Sequence, residues 1–161
     1  MAPPFRAEHI GSLLRPKALL QAHTDADSTT SYAQNLPEDV KRLTKEAIAG
    51  AVQKQLSLSI RPITSGEFDR HIFYGGFFEN IEGFEVLPEL PLPDGFRTKL
   101  PTITTLMKLG VKTRSGVVAT GKIKHVKSPY LEEWKTLKSL LKPNQWKDGK
   151  LTMPWPTWQH M

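Results

Sequence analysis

The sequence predicts an α/β fold organised on a parallel sheet, and two observations carry that expectation. Short β-type runs at residues 5–10, 59–68 and 151 onward alternate with amphipathic helical stretches, and strand–helix–strand is the unit of a parallel sheet. The 161 residues, 39% hydrophobic and 24% charged, suffice for one domain with a substantial core. A parallel sheet covered by helices means a doubly wound fold or a β/α barrel, and periodicity leaves both open.

The first strand, FRAEHI (5–10), runs into a turn at Gly11-Ser12. Arg15-Pro16 then opens a helical stretch, PKALLQAH, where proline suits the first helical position. Residues 24–36 are polar and aperiodic, so a loop is expected. The clearest helix covers residues 37–58, with Pro37 at its first turn and Glu38 and Asp39 at the positive end of the helix dipole. Its apolar face is read as Val40, Leu43, Ala47, Ala51 and Leu56. SIRPITSGEF follows as a short strand, with Ile60 and Ile63 as core candidates.

Residues 86–112 hold four prolines and little periodicity, which predicts an extended insertion. The run SGVVATGKIKHV, residues 115–126, alternates well enough for a strand or hairpin arm, with Val118, Ile123 and Val126 as apolar candidates. Ser128 as N-cap, Pro129 at the first position and Glu132-Glu133 in the first turn start the next helix. Its hydrophobic stripe is Leu131, Trp134, Leu137 and Leu141. Asp148-Gly149 turns the chain, and LTMPWPTWQHM closes it as a strand leading into a proline-rich loop. Three core strands stand against the eight of a closed barrel, so an open edge and an uncovered apolar face are expected.

Composition narrows the function classes. No apolar run approaches the roughly 20 residues needed to span a bilayer, and the N-terminus lacks the apolar core of a secretory signal. A soluble cytoplasmic protein with no membrane partner is the expectation. Without cysteine there is neither a disulfide framework nor a thiolate metal site. The net charge of +6 is uneven: residues 1–96 carry 9 Lys/Arg against 13 Asp/Glu, and residues 97–150 carry 13 against 3. A basic half could attract nucleic acid. Its lysines are scattered through strand and helix with no arginine-rich arm, so a solvated surface is expected and a basic nucleic-acid-binding domain is the lesser alternative.

Candidate chemistry centres on ITSGEFDRHIFYGGFFENIEGFE, residues 63–85. Glu67 at a strand's end could receive an ammonium group or act as an acid or base. Equally, it could cap a helix or pair with Arg70. Asp69 and Arg70 read as a surface ion pair, and His71 with Glu67 is not a metal site, since metals need three or four converging ligands. Gly11-Ser12 offers backbone N–H groups and a hydroxyl suited to a ligand carboxylate, or an ordinary strand-to-helix turn. His9 could hydrogen-bond a ligand or be structural. Phe68, Phe73, Tyr74, Phe77 and Phe78 are expected in a core or rim rather than as a stacking platform. Trp155, Trp158 and His160 suit a pocket rim.

Taken together and in order, AEHIGSLLRP, ITSGEFDRHIFYGGFFENIEGFE and LTMPWPTWQHM resemble the cobalamin-independent methionine synthase family, in its short single-barrel members of fungi and bacteria. The pairing of GS-x-x-RP with a later SGEF-x-R is more specific than either piece. The resemblance implies a partial (β/α)8 TIM barrel of the uroporphyrinogen-decarboxylase-like superfamily: roughly the first three β/α units, with the extended insertion, as one N-terminal fragment over residues 1–161. It implies methyl transfer from a methyltetrahydrofolate to homocysteine or a similar thiol, so an amino-acid thiol and a folate are the implied small-molecule partners. Ile10, Gly11 and Ser12 would hold the amino acid's carboxylate, and Glu67 its ammonium group. Met153-Pro154 resembles the next strand end around the same pocket, with Trp155 departing from the family's pattern.

The family also uses zinc, held by a histidine, cysteines and a glutamate on later strands. This cysteine-free chain is expected to hold no metal and no catalytic residue, and to be inactive alone. The alternative from another class is a non-catalytic assembly module that completes a barrel with a partner chain supplying the missing strands.

Overall fold

The computed structural model describes residues 8–26, 36–70, 72–92 and 101–155. The chain divides into two compact units, Met1–Phe77 with Ser128–Met161, and Phe78–Lys127. The second is a broader excursion than the 86–112 insertion that the sequence suggested, and the basic stretch 97–150 is split between the two.

The first unit contains helices α1 (Lys17–Asp25), α2 (Glu38–Ser57) and α4 (Leu131–Ser139), with a 3₁₀ turn at Pro143–Asp148. Its core joins Leu19, Ile48, Val52, Ile63, Phe68, Leu137 and Leu141. Each such side chain contributes roughly 1.5–3 kcal/mol by leaving water. The buried face of α2 is Val40, Thr44, Ile48, Val52 and Gln55, rotated from the expected stripe. Of that stripe Val40 alone is fully buried, while Leu43, Ala47, Ala51 and Leu56 only flank the core.

Two polar residues explain the rotation, because each satisfies itself in the interior. Thr44 Oγ1 donates to the Val40 carbonyl at 2.8 Å. The Gln55 amide donates to the Thr64 carbonyl at 2.9 Å and accepts the Thr64 N–H at 3.0 Å. Gln55 thus pairs with residue 64 as a neighbouring strand would.

The expected parallel strands are reduced to extended segments. Among the described residues of this unit the sheet pairing is one isolated parallel bridge, Ile63 with Gly149, held by Ile63 N–H to Asp148 O at 2.7 Å and Lys150 N–H to Ile63 O at 2.8 Å. On the other side, Leu13 N–H donates to Gly66 O at 3.1 Å. Pro62 has no N–H to offer a ladder, and Gly66 and Glu67 turn left-handed at φ +74° and +57°. Only three residues between them can stay extended.

Helix α4 starts at Leu131 with Tyr130 at its N-cap, two residues after the expected start. Tyr130 is buried, its ring lies under the Arg70 guanidinium at 3.9 Å, and its hydroxyl donates to Tyr74 O at 3.2 Å. Those contacts hold residue 130 outside the helix.

The second unit pairs β1 (Ile81–Pro91) antiparallel with β2 (Thr113–His125), and includes α3 (Pro101–Lys108) and a 3₁₀ turn at Phe78–Asn80. Residues 86–91, expected as part of an extended insertion, form strand. Pro88 falls where the register shifts between Leu87 and Leu90, as a residue without an N–H would require. The apolar candidates of this stretch are not core: Val118 and Ile123 in β2, and Val126 just after it, are 39%, 54% and 58% exposed, since a two-stranded ladder has no second layer to bury them. No helix among the described residues is long and apolar enough to cross a membrane.

This division predicts unequal costs for truncation. Ile48→Ala should destabilise by about 2–5 kcal/mol, and Ile123→Ala by no more than about 0.5 kcal/mol, read as urea midpoints. The reverse order would contradict the assignment of the core.

Candidate functional site

The site grows from the turn at Gly66–Arg70. Gly66 has little choice of residue: at φ +74° a Cβ would sit 3.0 Å from the Phe68 ring and 3.1 Å from Leu13 Cβ. Glu67 takes the same left-handed conformation with a side chain, at a cost on the order of 1–2 kcal/mol. The surrounding hydrogen bonds over-determine it. Gly66 N–H donates to Thr64 Oγ1 at 3.0 Å and Glu67 N–H to Ser65 Oγ at 3.2 Å. Arg15 Nη2 donates to Glu67 O at 2.7 Å and also to Arg70 O.

Held this way, the buried Glu67 carboxylate meets two hydroxyls from distant parts of the chain. Ser12 Oγ donates to Oε2, and Thr152 Oγ1 donates to Oε1 at 2.6 Å. Gly11 makes room for the meeting: a Cβ there would overlap Glu67 Oε1 and lie 2.7 Å from Thr152 Cγ2. The ends of three neighbouring segments thus converge on one carboxylate.

Arg70 lies behind this cluster, 3% exposed. Its Nε and Nη2 donate to Glu133 Oε2 at 2.8 and 2.6 Å. Nη2 also reaches Thr152 O at 3.0 Å, while Nη1 reaches Phe73 O at 2.9 Å and Thr152 Oγ1 at 3.2 Å. Glu67 Oε1 is 4.0 Å away. Glu133 accepts further from Ser65 Oγ at 2.8 Å. Burial pushes the Glu133 carboxyl up, opposed by the Arg70 charge and by the hydrogen bonds from Arg70 and Ser65. Burial likewise lowers Arg15, against the attraction of Glu67 and Asp69.

Of the residues singled out from sequence, Gly11, Ser12 and Glu67 come together. The Ile10 side chain does not join them, being 94% exposed, so any role there belongs to its backbone. Arg70 and Asp69 are not a surface ion pair: Arg70 belongs to Glu133, and Asp69 Oδ1 is shielded with no hydrogen-bond partner among the described residues. His9 Nε2 is shielded likewise, and its carbonyl accepts from Lys150 Nζ at 2.7 Å. Phe68 is core, Phe73 is 42% exposed and Trp155 is 73% exposed. His71, Trp158 and His160 lie outside the described residues.

Sequence reasoning missed Thr152 and Glu133. Glu133 left only a helix-start signal, as an acidic residue in the first turn of α4. Thr152 left none. The described residues do not fit a zinc site. Among them no group of three His, Cys, Asp or Glu could hold an ion, cysteine is absent from the sequence, and the Arg70 guanidinium lies 2.6 Å from Glu133 and 4.0 Å from Glu67.

Asp69 makes the fold pH-dependent. Burial first, and the Glu133 charge second, push its carboxyl up to about 7 from an ordinary 3.8, with Arg70 and Arg15 only partly offsetting them. A raised carboxyl favours the protonated folded state, so its stability contribution is full below about pH 4 and is lost as pH rises toward 7. The loss is on the order of 2–4 kcal/mol. Asp69→Asn should flatten the stability–pH profile over that window and exceed the unsubstituted chain at pH 8, measured by urea unfolding. An unchanged slope would contradict the burial of this carboxyl.

Comparison with known proteins bears on the fold of the chain. No family model matches the chain. Two uncharacterized proteins of Bacillus subtilis (strain 168) do: YxjG, 29% identical over 138 residues (86% of this chain, 32% of that protein), and YxjH, 28% identical over 153 residues (95% and 36%). A B12-independent methionine synthase from Shewanella sp. W3-18-1, solved in complex with selenomethionine, superposes with a TM-score of 0.61 at 18% identity over 96% of this chain and 39% of that one. A protein from Listeria monocytogenes assigned as a vitamin-B12 independent methionine synthase gives 0.63 at 25% identity, over 99% and 39%. The chain spans about a third of the curated relatives it matches, and its mixed helix-and-strand structure is similar to part of the B12-independent methionine synthase structures.

Proposed function

We propose that this chain is the N-terminal portion of a methionine-synthase-like methyltransferase, and that it carries the part of the pocket that grips the backbone end of an amino acid. The segments ending at Ser12, Glu67 and Thr152 are then the first three strand ends of a partial β/α barrel. The observation that carries the reading is the meeting of Ser12, Glu67 and Thr152 at one buried carboxylate on an arginine-braced turn. A carboxylate with open lone pairs suits an ammonium group, and a hydroxyl beside a glycine turn suits a carboxylate. Nothing among these residues moves a methyl group, so the function assigned to them is binding and orientation. On this reading, activation of the amino acid's thiol by zinc and binding of the folate fall to segments other than these.

A second reading, an assembly module completed by another chain, is favoured by one feature. Ile10, Leu14, Met153 and Trp155, on the same segments as the clamp, are 94%, 94%, 59% and 73% exposed, and apolar groups so placed are suited to burial against further polypeptide.

Titration calorimetry of the 161-residue chain with methionine tests the first reading. Binding should weaken about tenfold or more in Glu67→Gln, the size of a lost charge-assisted bond. Equal affinity in the two proteins would remove Glu67 from the site.

A further inference from the structure

Resting on the amino-acid reading above, we propose that the two hydroxyls on Glu67 have different duties. Thr152 is a fixed positioning residue, and Ser12 is an exchangeable donor that an incoming ammonium group displaces from the carboxylate.

The partners of each hydroxyl draw the distinction. Thr152 is held at both of its oxygens by Arg70, through Nη1 to Oγ1 at 3.2 Å and Nη2 to the carbonyl at 3.0 Å. With a guanidinium donating into Oγ1, the single hydroxyl proton is left to point at Glu67 Oε1, 2.6 Å away. Arg70 in turn is buried and anchored by Glu133 and Phe73 O. Releasing Thr152 would therefore disturb the whole network.

Ser12 is the opposite case. Ser12 is exposed, and its hydroxyl is tied to Glu67 Oε2 with no second bond among the described residues. A serine hydroxyl has one proton. It cannot serve Glu67 and a ligand carboxylate at the same time. An ammonium group brings three donors and a charge, so it replaces the hydroxyl at Oε2 with a stronger bond, and the freed proton of Ser12 turns to the ligand carboxylate. One hydroxyl–carboxylate bond is broken, another forms, and an ammonium–carboxylate bond is added.

The exchange selects for zwitterions. An amine without a carboxylate displaces Ser12 and gives its proton no new acceptor. An acid without an ammonium group displaces nothing and meets Glu67 as a like charge.

The test uses the full 161-residue chain with two probes, methionine and its decarboxylated counterpart 3-(methylthio)propylamine, by calorimetry with thermal midpoints recorded for every variant. Ser12→Ala should weaken methionine about tenfold while binding the amine more tightly, so that the ratio of the two affinities collapses. Thr152→Val should weaken both probes together by a similar factor, and Thr152→Ser should restore them. A merely structural Thr152 would lower the thermal midpoint and leave the affinities of the folded protein alone. Equal weakening of both probes by Ser12→Ala, or unchanged binding by a folded Thr152→Val, would overturn the assignment while leaving the amino-acid reading in place. If Thr152→Val does not fold, the Ser12→Ala ratio still decides the exchange. Failure of the unsubstituted chain to bind methionine would overturn the amino-acid reading itself, and the exchange with it.

Discussion

The structure of the first unit depends on one buried guanidinium. Arg70 carries five N–H donors and makes five hydrogen bonds, to Glu133 twice, to Thr152 twice and to Phe73 O. A charge so deeply placed is tolerable only when every donor is met and an opposite charge lies alongside. That condition fixes more than a single contact. It draws the first turn of α4 through Glu133, the segment at Thr152 and the loop at Phe73 onto one planar fork, and Tyr130 closes its face. Lysine, with one point charge and no fork, could not span the same partners.

The candidate site is a consequence of that brace. Glu67 stands three residues before Arg70, in a left-handed conformation that would relax without support. Arg15 supplies support from the other direction by donating to the carbonyls of residues 67 and 70. This gives a physical reason for GS-x-x-RP and SGEF-x-R to occur together. The arginine of the first motif holds the turn of the second, and the serine of the first meets the glutamate that this turn presents. The two motifs are halves of one hydrogen-bonded object, although 55 positions separate Ser12 from Glu67.

How much of this was legible in the sequence follows from what each residue's pattern can encode. Helices α2 and α4 were readable from proline and acidic residues at their starts and from apolar spacing. The buried face of α2 was not, because Thr44 and Gln55 look like solvent-facing residues until their partners, Val40 O and the Thr64 backbone, are known. Ser12 and Glu67 were legible through motif resemblance, whereas Thr152 was invisible because its role lies wholly in long-range partners. Arg70 was misread as a surface charge, since its true counterion is 63 residues away. The strand β1 was hidden by its prolines, which a two-stranded ladder tolerates where a central strand would not. Local signals encode helices and turns. The polar core is encoded in pairings that no window of sequence contains.

The most direct test is to keep the charge of Arg70 and remove its fork. Arg70→Lys should cost about 1–3 kcal/mol, as leaving buried acceptors such as Phe73 O and Thr152 O unmet does, and should shift the amide resonances of Glu67 and Thr152 while leaving those of β1 and β2 in place. A variant as stable as the unsubstituted protein, with the Glu67 and Thr152 amides unmoved, would contradict the view that this guanidinium sets the site.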